Sequence, residues 1–115
     1  MTEFVARAFE VALTEQAVAP LEELFELTGK SYSQVCKDGL ERAVQNLPAD
    51  ETIQIPEEWK LQPKSEFTRQ VLRLPTEVLM SLDDMARRSQ TSWGELASYL
   101  TECEVYHKLV WLREM

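Results

Sequence analysis

Along the chain a short alternating run of apolar and polar residues is followed by two stretches of helical spacing, and the whole series occurs twice. In the second occurrence, Phe67 to Leu74 is rich in strand-compatible residues and stops at Pro75, which lacks the amide that a central strand needs. From Thr76, expected as the N-cap, Val78, Leu79, Leu82, Met85 and Ala86 recur at helical spacing. Glu77 in the first turn and Arg87 and Arg88 in the last each complement the helix dipole. Ser92 then opens a second helix with Trp93, Leu96, Ala97, Leu100 and Cys103 along one face. This helix continues through Val105, Tyr106, Leu109, Val110, Trp111 and Leu112, apolar around more than one face, as expected of a tail that packs on another element or another subunit.

The first occurrence predicts a strand over Arg7 to Leu13, a helix over Thr14 to Thr28, a turn at Gly29-Lys30 and a helix from Ser31 to about Gln45. Both occurrences align without gaps at an offset of 61 residues, which sets Leu13 on Leu74, Leu21 on Leu82, Leu24 on Met85, Tyr32 on Trp93 and Val44 on Val105. The capping signature repeats as well, at Ser31 to Gln34 and at Ser92 to Glu95, where a hydroxyl and a side chain three residues on satisfy two orphan amides. Pro20 conflicts with a helix starting at Thr14, so the first helix is expected to be shortened or kinked. Between the copies, residues 46–65 hold Pro48, Pro56 and Pro63 and predict an extended connector, pinned to the core by Ile53, Ile55 or Trp59.

Length then limits the arrangement. A chain of 115 residues supports one core, so residues 1–115 are expected as a single domain. Within it lie a first copy over 6–45, degenerate in its strand, and a second over 66–115 with an extended C-terminal helix. The Met1-Thr2-Glu3 start has no basic or apolar leader character, and no stretch approaches the roughly 18 apolar residues of a membrane span. A cytoplasmic protein without membrane contact is the expectation. Cys36 and Cys103 stand far apart, outside any CxxC motif, and are expected to be small buried hydrophobes.

Charge argues against broad phosphate binding, because the chain carries 12 basic and 20 acidic residues for a net −8. The excess is uneven: residues 1–46 hold four basic and eight acidic groups, and residues 65–115 hold six and eight. No Gly-rich phosphate loop, HExxH or nucleophile elbow occurs. Cys103 and His107 lie one helical turn apart, but two ligands do not make a metal site. The paired acids Glu22-Glu23 and Asp83-Asp84 read as solvated faces, since adjacent helical residues diverge. Neither catalysis, nor a cofactor, nor a metal is expected.

Val71-Leu72-Arg73-Leu74-Pro75, followed by Leu79, Leu82, Asp83 and Ala86 and then by Thr91-Ser92 and Leu96, resembles the ribbon-helix-helix (MetJ/Arc/CopG) superfamily. The resemblance covers about 67–105, and reaches 6–45 only through the internal repeat. It implies a mainly α fold with a small antiparallel two-stranded ribbon, a tandem ribbon-helix-helix pseudo-dimer within one chain. It also implies that Arg69, Val71 and Arg73 face the major groove of double-stranded DNA, with Thr91, Ser92 and Trp93 offering amides to a phosphate. The corresponding residues of the first copy are Ala8, Glu10 and Ala12, which depart from that pattern. Two readings follow. One is a small DNA-binding transcriptional regulator, a repressor or antitoxin-like protein. The other is a non-enzymatic protein-interaction module on a scaffold that has lost DNA binding. For the second, Val105, Leu109, Trp111 and Leu112 are the expected surface for a protein partner or for self-association.

Overall fold

In the computed structural model, which describes residues 7–48 and 50–114, the two alternating runs are strands, β1 (Arg7–Thr14) and β2 (Lys64–Leu74). The start of the first copy at residue 6 lies outside the described residues. β1 and β2 pair antiparallel, with Arg7 opposite Leu74 and Ala12 opposite Arg69. Successive side chains of a strand point to opposite faces, so Val11, Leu13, Leu72 and Leu74 enter the core while Ala8, Glu10, Arg69, Val71 and Arg73 face outward.

The register breaks between Ala12 and Thr14, and Thr14 is paired with Lys64. Here side chains take over from the ladder. The Thr14 amide donates to Glu102 Oε1 at 2.7 Å, the Ala12 amide donates to Ser98 Oγ at 3.1 Å, and the Thr68 hydroxyl donates to the Leu13 carbonyl at 2.7 Å. The expected fold class is corrected at this sheet: the protein is mostly helical, with five α-helices among the described residues around an antiparallel sheet whose pairing changes register at Thr14, not a regular ribbon carrying a tandem ribbon-helix-helix pseudo-dimer. Among the described residues the sheet comprises β1 and β2. A bulged, doubly registered pairing leaves no mark in a period-two pattern, so neither the alternation nor the resemblance that implied a simple ribbon announced it.

The helices are α1 (Val18–Thr28), α2 (Tyr32–Asn46), α3 (Glu57–Leu61), α4 (Thr76–Arg88) and α5 (Trp93–Arg113). The shortening expected from Pro20 occurs. A 3-10 turn over Glu15–Ala17 precedes α1, which starts only at Val18 and thus sets Pro20 in the first turn, where an amide has no helical partner to lose. α1 ends at Gly29, whose φ of 73° closes the helix with its amide on the Phe25 carbonyl. Ser31 and Ser92 cap α2 and α5 by accepting from the Gln34 and Glu95 amides, each at 3.2 Å. Thr76 is not the N-cap of α4. That position belongs to Pro75, whose extended backbone passes directly from strand to helix.

The core joins both strands to Leu21, Leu24, Cys36, Leu40, Leu82, Leu96, Val105 and Leu109, all nearly or fully buried. α2 and α5 approach so closely that a Cβ added to Gly39 would lie 3.0 Å from the Glu104 Cβ. The connector is not wholly extended, since it contains α3, an element too short for a periodic signal. Its pinning is as expected: Trp59 and Ile55 are buried, Trp59 meets Tyr99 edge-on at 5.3 Å, and the Lys64 ammonium lies 3.9 Å from the Trp59 ring centroid.

Candidate interaction surface

On the outward face of the sheet, Arg69, Val71 and Arg73 are exposed as expected, across from Ala8, Glu10 and Ala12. Glu10 does more than dilute the positive charge. Its Oε1 lies 2.9 Å from Arg69 Nη1, so one of the two guanidinium groups is already engaged by a carboxylate of the neighbouring strand. Arg73 stands opposite Ala8, and Val71, opposite Glu10, is 57% exposed.

The start of α5 is likewise occupied by its own chain. Ser92 accepts from the Glu95 amide, the Thr91 hydroxyl donates to Glu95 Oε1 at 3.0 Å, and the Glu95 carboxylate adds negative charge to the first turn. A helix N-terminus attracts anions through its free amides and its dipole, and a resident carboxylate weakens both attractions. Trp93, expected to present an amide, also presents its ring: it meets Phe9 edge-on at 5.0 Å and remains 39% exposed.

These two rings begin a groove of about 620 Å³ lined by Ala8, Phe9, Thr76, Leu79, Met80, Asp83 and Trp93. Met80 is 67% exposed at its rim. β1 supplies Phe9 through the pleat, α4 supplies Leu79, Met80 and Asp83 within little more than one turn, and the Ser92 cap fixes Trp93 as the first residue of α5. Asp83 is bonded to Arg87 at 2.9 Å, one turn along the helix. Helical spacing marks Leu79 and Trp93 separately, while no sequence pattern singles out Phe9 or Met80. Their convergence depends on how α4, α5 and β1 come together in space, for which the sequence carries no local signal.

The C-terminal surface is corrected in part. Val105 and Leu109 are buried in the protein's own core, because α5 packs along β1 and α2 and uses them as core contacts. Leu112 is half-buried against the same core, while Trp111 and its neighbour Val110 are about half exposed. Arg113 binds both carboxylate oxygens of Glu23, at 2.9 and 2.6 Å, and so ties the helix end to α1. This contact holds the Glu23 carboxyl below its ordinary range. Cys36 is buried, as expected, and burial pushes its thiol up to about 12. Cys103 is exposed, contrary to expectation: the face of α5 that turns inward carries Ser98 and Glu102 to the bulge instead.

Glu102 was not singled out by any sequence pattern, yet it is 4% exposed and bonded through both oxygens. Besides the Thr14 amide it accepts the Thr14 hydroxyl at 2.7 Å and the Tyr106 hydroxyl at 3.3 Å. Burial, followed by the neighbouring Glu102 charge, pushes the Tyr106 hydroxyl up to about 12. No group of His, Cys, Asp and Glu among the described residues is placed to hold a metal ion, and none of their helices is long and apolar enough to cross a membrane. Comparison with known proteins found no matching family, no matching curated protein and no matching solved structure.

Proposed function

We propose that this chain is a protein-interaction module whose recognition surface lies beside the sheet, at the junction of β1, α4 and α5. The observation that carries this reading is the contrast between two neighbouring surfaces. The outward face of the sheet uses Glu10 to engage Arg69, whereas the flank exposes apolar side chains around an open groove. Exposed apolar clusters with polar rims are the usual mark of protein contact sites, and Met and Trp are side chains such sites favour. The net charge of −8 favours protein partners over a polyanion.

A second reading, a DNA-binding regulator, has one specific observation in its favour: Arg69 and Arg73 share an exposed face with Val71, in agreement with the ribbon-helix-helix resemblance of 67–105. The two readings separate in a selection of bound fragments from sheared duplex DNA at low and moderate salt, run with the wild-type chain and with Arg69→Ala/Arg73→Ala. The interaction module predicts no enrichment of any site. A site enriched by the wild type and lost by the variant overturns it and establishes the regulator.

A further inference from the structure

The repeat supplies an internal reference for the groove. At the offset of 61 residues, Phe9 corresponds to Gln70, Leu79 to Val18, Met80 to Ala19, Asp83 to Glu22 and Trp93 to Tyr32. The corresponding surface has the same elements in the same order but different contents. Gln70 accepts a hydrogen bond from the Ser33 hydroxyl at 2.8 Å, where Phe9 offers a ring to Trp93. Tyr32 turns to Phe25 at 6.2 Å, and Ala19 projects no side chain beyond its methyl where Met80 reaches into solvent. The scaffold therefore does not require an apolar opening at this junction, and only one of the two junctions carries this set of large apolar side chains.

We propose, on the basis of the interaction-module reading, that this groove receives a short basic peptide segment of a partner protein. The segment inserts one or two large apolar side chains against Leu79, Met80 and Trp93 and sets a Lys or Arg beside Asp83. Three features select this occupant. The groove volume of about 620 Å³ lies within the roughly 300–1,000 Å³ of ligand clefts, but Met80 is too exposed for the near-complete enclosure a small molecule receives there. A second copy of the chain would bring another net −8 to the contact, and long-range repulsion of that kind suppresses self-association. The charged residue in the lining is an acid, and its present partner, Arg87, has a side chain 79% exposed, so an incoming cation replaces a weak surface pair. Met80 adapts to side chains of different shape, and the Phe9–Trp93 contact holds a rigid aromatic wall opposite it.

The test is a selection from a random twelve-residue peptide display library on the full chain, with Met80→Glu and Asp83→Lys in parallel. Met80 and Asp83 are surface side chains, and unchanged far-ultraviolet circular dichroism verifies that the variants fold. The expected result is a set of enriched peptides that share an aromatic or branched aliphatic residue within a few positions of Lys or Arg. A synthetic copy should lose on the order of tenfold in affinity for Met80→Glu, as expected for removal of a central contact, and several-fold for Asp83→Lys. Enriched acidic peptides, or peptides held equally well by Met80→Glu, overturn the groove assignment and leave an interaction module that uses another surface. Failure to enrich any peptide overturns both. A wild-type dimer in sedimentation equilibrium that Met80→Glu dissociates overturns the peptide in favour of a second copy.

Discussion

Glu41 and Glu102 occupy the same place in the two strand-helix-helix stretches, 61 residues apart, and meet opposite fates. Glu102 is buried under β1 with both oxygens bonded, while Glu41 stays only half-buried on α2, 3.9 Å from Lys37 one turn away. The cause lies at the strand ends. β1 finishes at Thr14, whose amide is left over by the register break and must find an acceptor, and Glu102 provides it. The residue corresponding to Thr14 is Pro75, which has no amide and leads straight into α4. One strand end therefore recruits a carboxylate into the core and the other does not, although the surrounding elements follow the same order. The lesson is that a single donor, present or absent, decides whether an acid is structural or merely solvated.

The strongest way to break this comparison is to remove the two acids in turn. Glu102→Ala leaves the Thr14 amide and hydroxyl without their acceptor and opens a cavity. It should lower the unfolding free energy in urea by about 3 kcal/mol. Glu41→Ala should change it by no more than about 0.5 kcal/mol, as for other i,i+4 pairs in contact with solvent. Equal losses would show that burial of Glu102 is incidental.

The α2–α5 contact offers a second test, because Gly39 of α2 corresponds to Leu100 of α5. A side chain at Gly39 must displace Glu104, so Gly39→Leu should cost about 1–3 kcal/mol through overpacking and shift the urea midpoint accordingly. An unchanged midpoint would mean that the two helices separate at little cost.

The smallest effect concerns Asp38. Burial pushes its carboxyl up, but hydrogen bonds from Lys30 and Gln34 outweigh burial and hold it below the ordinary carboxylate value. A depressed folded value contributes stability above the unfolded value and loses it as pH falls through the folded one. Asp38→Asn should therefore cost about 0.5 kcal/mol at pH 7, and the difference from wild type should vanish below the usual aspartate range. Urea titrations at neutral and acid pH measure it. A difference that persists in acid would assign the effect to the side-chain amide rather than to charge.

The elements were legible in the sequence to the extent that they rest on local rules. Ser31 and Ser92 mark their helix starts because capping is a property of neighbouring residues, and Pro20 delays α1 because a missing amide is tolerated in a first turn. The outward positions of Arg69, Val71 and Arg73 follow from alternation in the same way. What depends on chains meeting in space was not legible. The bulge at Thr14, the burial of Glu102 and the loss of Val105 and Leu109 to the core all arise from where α5 crosses β1, a contact between residues 88 positions apart at Thr14 and Glu102. The groove was hidden for the same reason. Trp93 reads as an ordinary amphipathic position, and nothing local marks Phe9 or Met80 until β1, α4 and α5 are brought together.

The connector has a further consequence, in the rate at which the protein folds. Cross-strand neighbours such as Glu10 and Arg69 lie 59 positions apart, so the sheet closes a long loop before any of its pairing is rewarded, and topologies of that kind fold slowly for their size. Trp59, held between Lys64 and Tyr99, anchors the connector close to the start of β2. If that anchor sets before the strands meet, it divides one long search into two shorter ones, and the indole should slow folding when removed as well as hasten unfolding.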